Sequence, residues 1–258
     1  MKICNVFGIT PTNTYVSAGS DYYIPVLDSE EKIYWAFEAF KKSYKIKDDE
    51  LKELIDAFRS QLPEELLPHY ADCIHLYLAL YSMCLEPCKS YADDGVAYFI
   101  SEYLLYDEDK DKVGIALDLN DTLFINSGIK VALDTVLSDQ HNLNNYKGEA
   151  VDIFRNLGIG IAGLYVNKSG MGNKGWDVRA CLVDEDYAGY VHLSMAYTKD
   201  VEREDGKNYI YCGDKLTQMI LIPVFHTNFE NITQEEYNKL MENSERGASG
   251  FGSSDIKH

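Results

Sequence analysis

The chain has 258 residues, 46% of them hydrophobic, with 24 Lys and Arg against 42 Asp and Glu, a net charge of −18. Such a composition supplies a full core and excludes intrinsic disorder for most of the chain. The acidic balance excludes broad binding to a nucleic-acid backbone, which needs Lys and Arg to release counterions.

No apolar run approaches the ~20 residues that span a bilayer. Met1-Lys2-Ile3-Cys4-Asn5-Val6 carries no apolar signal-peptide core, so a cytoplasmic protein without membrane contact is expected. The cysteines at 4, 73, 84, 88, 181 and 212 are then reduced thiols.

Residues 3–28 read as short strands, with turn chemistry at Pro11-Thr12-Asn13 and Gly19-Ser20-Asp21. Ser29 caps a helix whose first turn holds Glu30 and Glu31. A second helix starts near Asp48, where Leu51, Leu54, Ile55, Phe58 and Leu62 form one apolar stripe. A third is predicted from Pro63 through Leu85, apolar on most sides after Cys73 and stopped by Pro87. A fourth runs from about Asp93 to Tyr106. The charged run Asp107 to Lys112 closes this half as a solvated loop.

Val113 to Ile125 reads as an opening core strand, and Ile129 to Ser138 as a strand or short helix. An Asn-rich loop spans Gln140 to Gly148, and a helix from Glu149 to Leu157 is stopped by Gly158. Ile159 to Val166 is a second buried strand. Ser169 to Gly175 is a loop with the composition of a phosphate cradle, but it lacks the Gly-Lys-Ser/Thr ending and reads as plain loop. Alternating strands follow at Asp177–Val183, Tyr190–Tyr197, Asn208–Cys212 and Met219–Phe225. Thr233 and Glu236 form the capping box of a last helix to Arg246, before a Gly/Ser-rich tail. The predicted class is α+β. Residues 1–112 form a half of strands plus a small helical bundle, 113–246 a mainly antiparallel sheet with flanking helices, and 247–258 a flexible tail.

Three segments, GIALDLNDTLF, FRNLGIGIAGLYVNKSG and NYIYCGDKL, resemble in order the motifs of haloacid dehalogenase-like phosphohydrolases. The resemblance implies Asp118 as phosphoryl-accepting nucleophile, Thr122 supporting its loop, and Asn167 and Lys168 near the phosphate. It also implies a Mg²⁺ ion held by Asp118 and Asp214. The chain departs from that pattern at Asn120, which stands where the proton-donating acid belongs, at Val166 in place of a hydroxyl, and at Gln218 in place of a second acid.

Other metal and catalytic patterns are incomplete. Asp107, Asp109 and Asp111 have the opening spacing of a calcium loop, but Lys112 replaces its glycine. His69/Cys73 and Cys84/Cys88 are i, i+4 pairs ~16 Å apart along the helix, too far for one metal. Val191-His192-Leu193-Ser194 has the local form of a two-histidine phosphoesterase motif, without a second copy at suitable distance.

Twenty tyrosines stand out, and Tyr187, Tyr190, Tyr197, Tyr209 and Tyr211 fall on strand-like segments where they can offer contact area with a polar tip. With the net charge and the broken motifs, the leading reading is an acidic, non-enzymatic interaction protein without cofactor. It would bind or inhibit a protein partner with a basic surface, as a phage-encoded or bacterial accessory protein. The alternative is the divergent Mg²⁺-dependent phosphohydrolase.

Overall fold

A computed structural model describes residues 2–13, 19–81, 93–133, 156–180, 182–199, 208–226 and 230–244. The expected 140–148 loop, nearly all of the 149–157 helix and the 247–258 tail lie outside these residues. The fold is α+β, as composition and periodicity predict. Contacts divide the chain into two units, Met1–Phe225 and His226–His258.

Short strands β1 (Lys2–Asn5) and β2 (Ser20–Tyr23) come first, then helices α1 (Glu30–Ser43) and α2 (Asp48–Gln61). The α1 cap is the expected one: the Ser29 side chain accepts a hydrogen bond from the Lys32 N–H. The apolar stripe of α2 buries Leu51, Leu54 and Phe58. The third helix differs from expectation at its start. Pro68 has no N–H to donate, so residues Glu64–His69 form a 3₁₀ turn before α3 (Tyr70–Tyr81). α3 packs on the strands of the following sheets, and Cys73, His75 and Leu76 are fully buried.

Helix α4 (Asp93–Glu102) ends earlier than expected. Leu104–Asp107 extends instead as β3, paired with β4 (Lys112–Leu117). The charged run Asp107–Lys112 therefore closes a hairpin, with residues 108–111 as its turn, and the division expected at 112/113 falls inside β4.

The remaining described elements of the first unit are β5 (Thr122–Asn126), β6 (Ile129–Ala132), β7 (Ile159–Asn167), a short helix α5 (Ser169–Asn173), β8 (Trp176–Ala180), β9 (Leu182–Val183), β10 (His192–Tyr197), β11 (Asn208–Tyr211) and β12 (Lys215–Phe225). They form sheets ordered β1-β6, β5-β10-β8, β11-β4-β3 and β2-β12-β7-β9. Each described strand pair is antiparallel. In the second unit, Thr233 and Glu236 build the expected capping box on α6 (Gln234–Leu240).

Val113 to Ile125 is thus two strands, not one. Asn120 sits at φ 75°, a left-handed conformation that Asn tolerates better than most residues. The Asp121 carboxylate accepts the Asp118 N–H at 2.9 Å and closes the turn between β4 and β5.

Candidate nucleotide site

Strand β7 delivers the chain into the Lys168–Gly175 loop, and several groups fix the loop's base. The Asn167 amide donates to Asp177 at 2.8 Å, and its carbonyl accepts the Val178 N–H at 2.8 Å. Thr198 donates its hydroxyl to the second Asp177 oxygen at 2.8 Å. These bonds from Thr198 and Asn167 hold the Asp177 carboxyl below its ordinary pKa. Gly175 lies at φ 93°, and a Cβ there would stand 2.2 Å from Cβ of Lys199, so a side chain is excluded on two counts.

The outer part of the loop is open. A Cβ at Gly170 would meet nothing within 4 Å. Met171 and Gly172 donate their N–H groups back to the Lys168 carbonyl. Ser169 and Gly170, both exposed, have no described backbone acceptor for theirs. These two residues open the short helix α5, whose first N–H groups have no acceptor within the helix. The loop also concentrates cations on an otherwise acidic chain. Lys174 and Arg179 are exposed, and Lys199 donates to the Asn173 carbonyl at 3.0 Å. Among the described residues no acid pairs with Lys174. Lys168 points elsewhere: its ammonium lies 2.9 and 3.0 Å from the two oxygens of Asp21 on β2, which also takes Lys215 at 3.1 Å. Burial opposes ionisation of Asp21, but the two ammonium groups prevail and its pKa is lowered.

A second loop, Asp184 to Tyr190, joins β9 to the segment entering β10. The Tyr187 N–H donates to the Asp184 carbonyl at 3.2 Å, and the Tyr187 hydroxyl to the Tyr190 carbonyl at 2.8 Å. Tyr187 stays 41% exposed beside the exposed carboxylates of Asp184 and Asp186. Gly163 on β7 pairs with Val183. The second loop therefore leaves the sheet beside Ala162, about five residues or ~17 Å along β7 from Asn167.

The residues implied by the dehalogenase resemblance are not gathered into one centre. Leu117 pairs with Asn208 and Gly114 with Tyr211, so Asp118 and Asp214 leave opposite ends of the β4–β11 pair, ~14 Å apart. They cannot share a metal. The Asp214 carboxylate instead accepts the Tyr211 N–H at 3.1 Å and lies 3.8 Å from Lys112. Ala196 pairs with both Thr122 and Asp177, which leaves Thr122 two strand spacings, ~10 Å, from the carboxylate that Asn167 bonds.

The five tyrosines do not form one exposed surface either. Tyr197 is fully buried beside Trp176, and Tyr190 packs on Phe7 under the ammonium of Lys130. Tyr209 and Tyr211 sit half-buried on edge strand β11. Among the described residues no group of three metal-ligating side chains converges.

The dUTPase family model matches residues 122–255, more than half of the chain. The chain belongs to the dUTPase family.

Sequence relatives agree. The deoxyuridine 5'-triphosphate nucleotidohydrolase of Gamma-proteobacterium EBAC31A08 is 35% identical over 38% of this chain and 64% of its own length. That of Pseudomonas paraeruginosa is 32% identical over 47% of this chain and 73% of its own length. The chain thus spans under two thirds of the first relative. A mutant dUTPase of Staphylococcus bacteriophage 80alpha, solved with dUpNHpp, overlays on 60% of this chain and 91% of that chain at TM-score 0.39 and 15% identity.

Membership in the dUTPase family corrects three expectations. The likeness to haloacid dehalogenase-like phosphohydrolases came from short strand-plus-Asp segments, and Asn120 is a turn residue rather than a displaced acid. A non-enzymatic inhibitor is overturned, because the matched family is one of nucleotide hydrolases. A basic protein partner goes with it. The Ser169–Gly175 segment, read from sequence as a plain loop, begins as the short helix α5 and lies inside the matched dUTPase region.

Proposed function

We propose that the protein hydrolyses deoxyuridine triphosphate, releasing the nucleotide from its phosphate chain. The observation that supports this reading is the dUTPase family match over residues 122–255, which holds the exposed Lys168–Gly175 segment and its neighbouring cations Lys174, Arg179 and Lys199. A triphosphate is repelled by a chain of net charge −18 unless local cations offset the field. Lys174, Arg179 and Lys199 supply that offset at the loop.

In-line attack by water on phosphorus needs a group that orients the water and donors that receive the developing charge. Asp184 and Asp186 are the carboxylates proposed for the first task, and the loop N–H groups for the second. Tyr187 is proposed as the aromatic surface for the nucleoside.

A Mg²⁺ ion fits in one mode. Mg²⁺ is commonly carried by phosphates and waters with one or two carboxylates, which needs no convergent cage of side chains. When bound, it would neutralise phosphate charge, and Asp184 or Asp186 would hold it.

The ~17 Å between the two loops along β7 supports a site completed by a second copy of the chain. A cytoplasmic setting fits the free thiols of Cys73 and Cys212.

The test is direct. Purified full chain is incubated with Mg²⁺ and, separately, dUTP, dTTP, dCTP and UTP, and the products are separated by chromatography. Consumption of dUTP at least tenfold faster than of the others is expected. No turnover of dUTP above the buffer blank sinks the reading.

A further inference from the structure

A cavity of about 590 Å³ lies between the Val26–Ile33 segment, the start of α3, the β3–β4 turn and Cys212. Nearly all of its wall precedes residue 122, where the family match begins. Its volume falls in the range of small-ligand sites, roughly 300–1,000 Å³.

Asp72 is on that wall, 3% exposed. One oxygen, Oδ1, accepts the Leu27 N–H at 2.8 Å. No described group bonds the other, Oδ2. Burial of the carboxyl pushes its pKa up to about 6 despite the Leu27 bond.

The cations nearby are already answered. Lys110 pairs with Asp107, Lys112 lies 3.8 Å from Asp214, and Lys32 lies 2.7 Å from Asp28. His69 turns Nε2 toward Asp111 at 2.9 Å. Glu30 adds a further acid at the rim, while Ile33 and Val113 give the wall an apolar side.

We propose that this cavity binds a small organic cation, an amine or guanidinium whose charged nitrogen donates to Oδ2 of Asp72 while its carbon chain lies on Ile33 and Val113. An anion would meet an excess of acids. A bare metal ion would need further ligands, and among the described residues no three converge. An organic cation brings its own N–H donors and needs only the one buried acceptor.

Isothermal titration of the full chain with 1,4-diaminobutane, spermidine and agmatine at physiological ionic strength tests this. At least one should bind saturably, one per chain. Affinity should fall tenfold or more in Asp72→Asn, which retains an oxygen for the Leu27 N–H, and in Ile33→Trp, which fills the cavity. Glu53→Gln, which removes an exposed surface charge, should bind as wild type and so controls for diffuse attraction to an acidic protein. Absence of saturable binding for all three amines, or equal binding by Asp72→Asn, overturns the proposal. The dUTP assay is read separately on the same variants, so failure of one reading leaves the other standing.

Discussion

Tyr187 is folded against Gly189: a Cβ at residue 189 would stand 2.4 Å from the tyrosine hydroxyl oxygen, which itself bonds the Tyr190 carbonyl. The glycine lets the exposed ring be held in one place. Gly189→Ala should displace the ring and raise KM for dUTP about as much as Tyr187→Ala, by an order of magnitude, with the melting temperature little changed. Steady-state kinetics beside thermal melts would show it. A Gly189→Ala enzyme with normal KM would remove Tyr187 from the nucleoside contact.

Two lysines of the glycine-rich loop should behave differently. Among the described residues Lys174 has no acidic partner, while Lys168 is tied to Asp21. Lys174→Ala should raise KM for dUTP several-fold and leave stability within ~0.5 kcal/mol. Lys168→Ala should cost about 1 kcal/mol in denaturant melts, as expected of a partly exposed ion pair, with a smaller effect on KM. The reverse pattern would reassign the phosphate contact to Lys168.

The ~17 Å between the loops makes a complementation experiment decisive. Lys174→Ala combined with loop shortening, and Asp184→Asn combined with Asp186→Asn, should each be inactive alone. Co-refolded mixtures should regain a measurable share of activity, because some sites then draw both intact loops from different copies. Mixtures as inactive as their parents would place the two loops in service of a single chain.

His75 is fully buried and stacks on Phe40 with ring centroids 5.0 Å apart. Burial, with His192 nearby, pushes its pKa down to about 3 from 6.5. A depressed folded-state value means that the neutral ring's contribution is complete above pH 6.5 and is lost as pH falls toward 3. His75→Phe should flatten the acid limb of the stability curve over that window. An unchanged acid limb in urea titrations would show that His75 does not drive acid unfolding.

Asp72 has the opposite sign. Its folded pKa is raised to about 6 from 3.8. The protonated acid favours folding at low pH, and that contribution disappears as pH rises through about 6. Asp72→Asn should therefore stabilise the ligand-free protein at about pH 8, by at most about 3 kcal/mol, and much less at about pH 4. A variant destabilised under the same alkaline conditions would show that the charge is better solvated than its burial implies.

Much of the fold was legible because it was written in local chemistry. Ser29 as a cap, the α2 stripe from Leu51 to Leu62 and the Thr233–Glu236 box need only near neighbours. Alternation through residues 177–225 likewise announced antiparallel strands. Errors arose where a residue's role depends on distant contacts. Leu104–Asp107 has helical company before it but gains a strand partner in Lys112–Ile115. Asn120 suggested a lost acid, whereas its backbone closes a turn against Tyr197.

The candidate site was less legible, since its parts are ordinary one at a time. Ser169 to Gly175 is unremarkable as a string; Asn167, Asp177 and Thr198 make it a held loop from three separate strands or their ends.

By itself the sequence determined an acidic α+β chain with capped helices and antiparallel strands, because charge, caps and period depend on residues close in the chain. Only the tertiary structure decided that Asp118 and Asp214 stand ~14 Å apart, that Tyr197 is buried while Tyr187 is exposed, and that Asp72 lines a cavity. Those relations are set by strand register and packing between residues far apart in sequence, which no local pattern encodes.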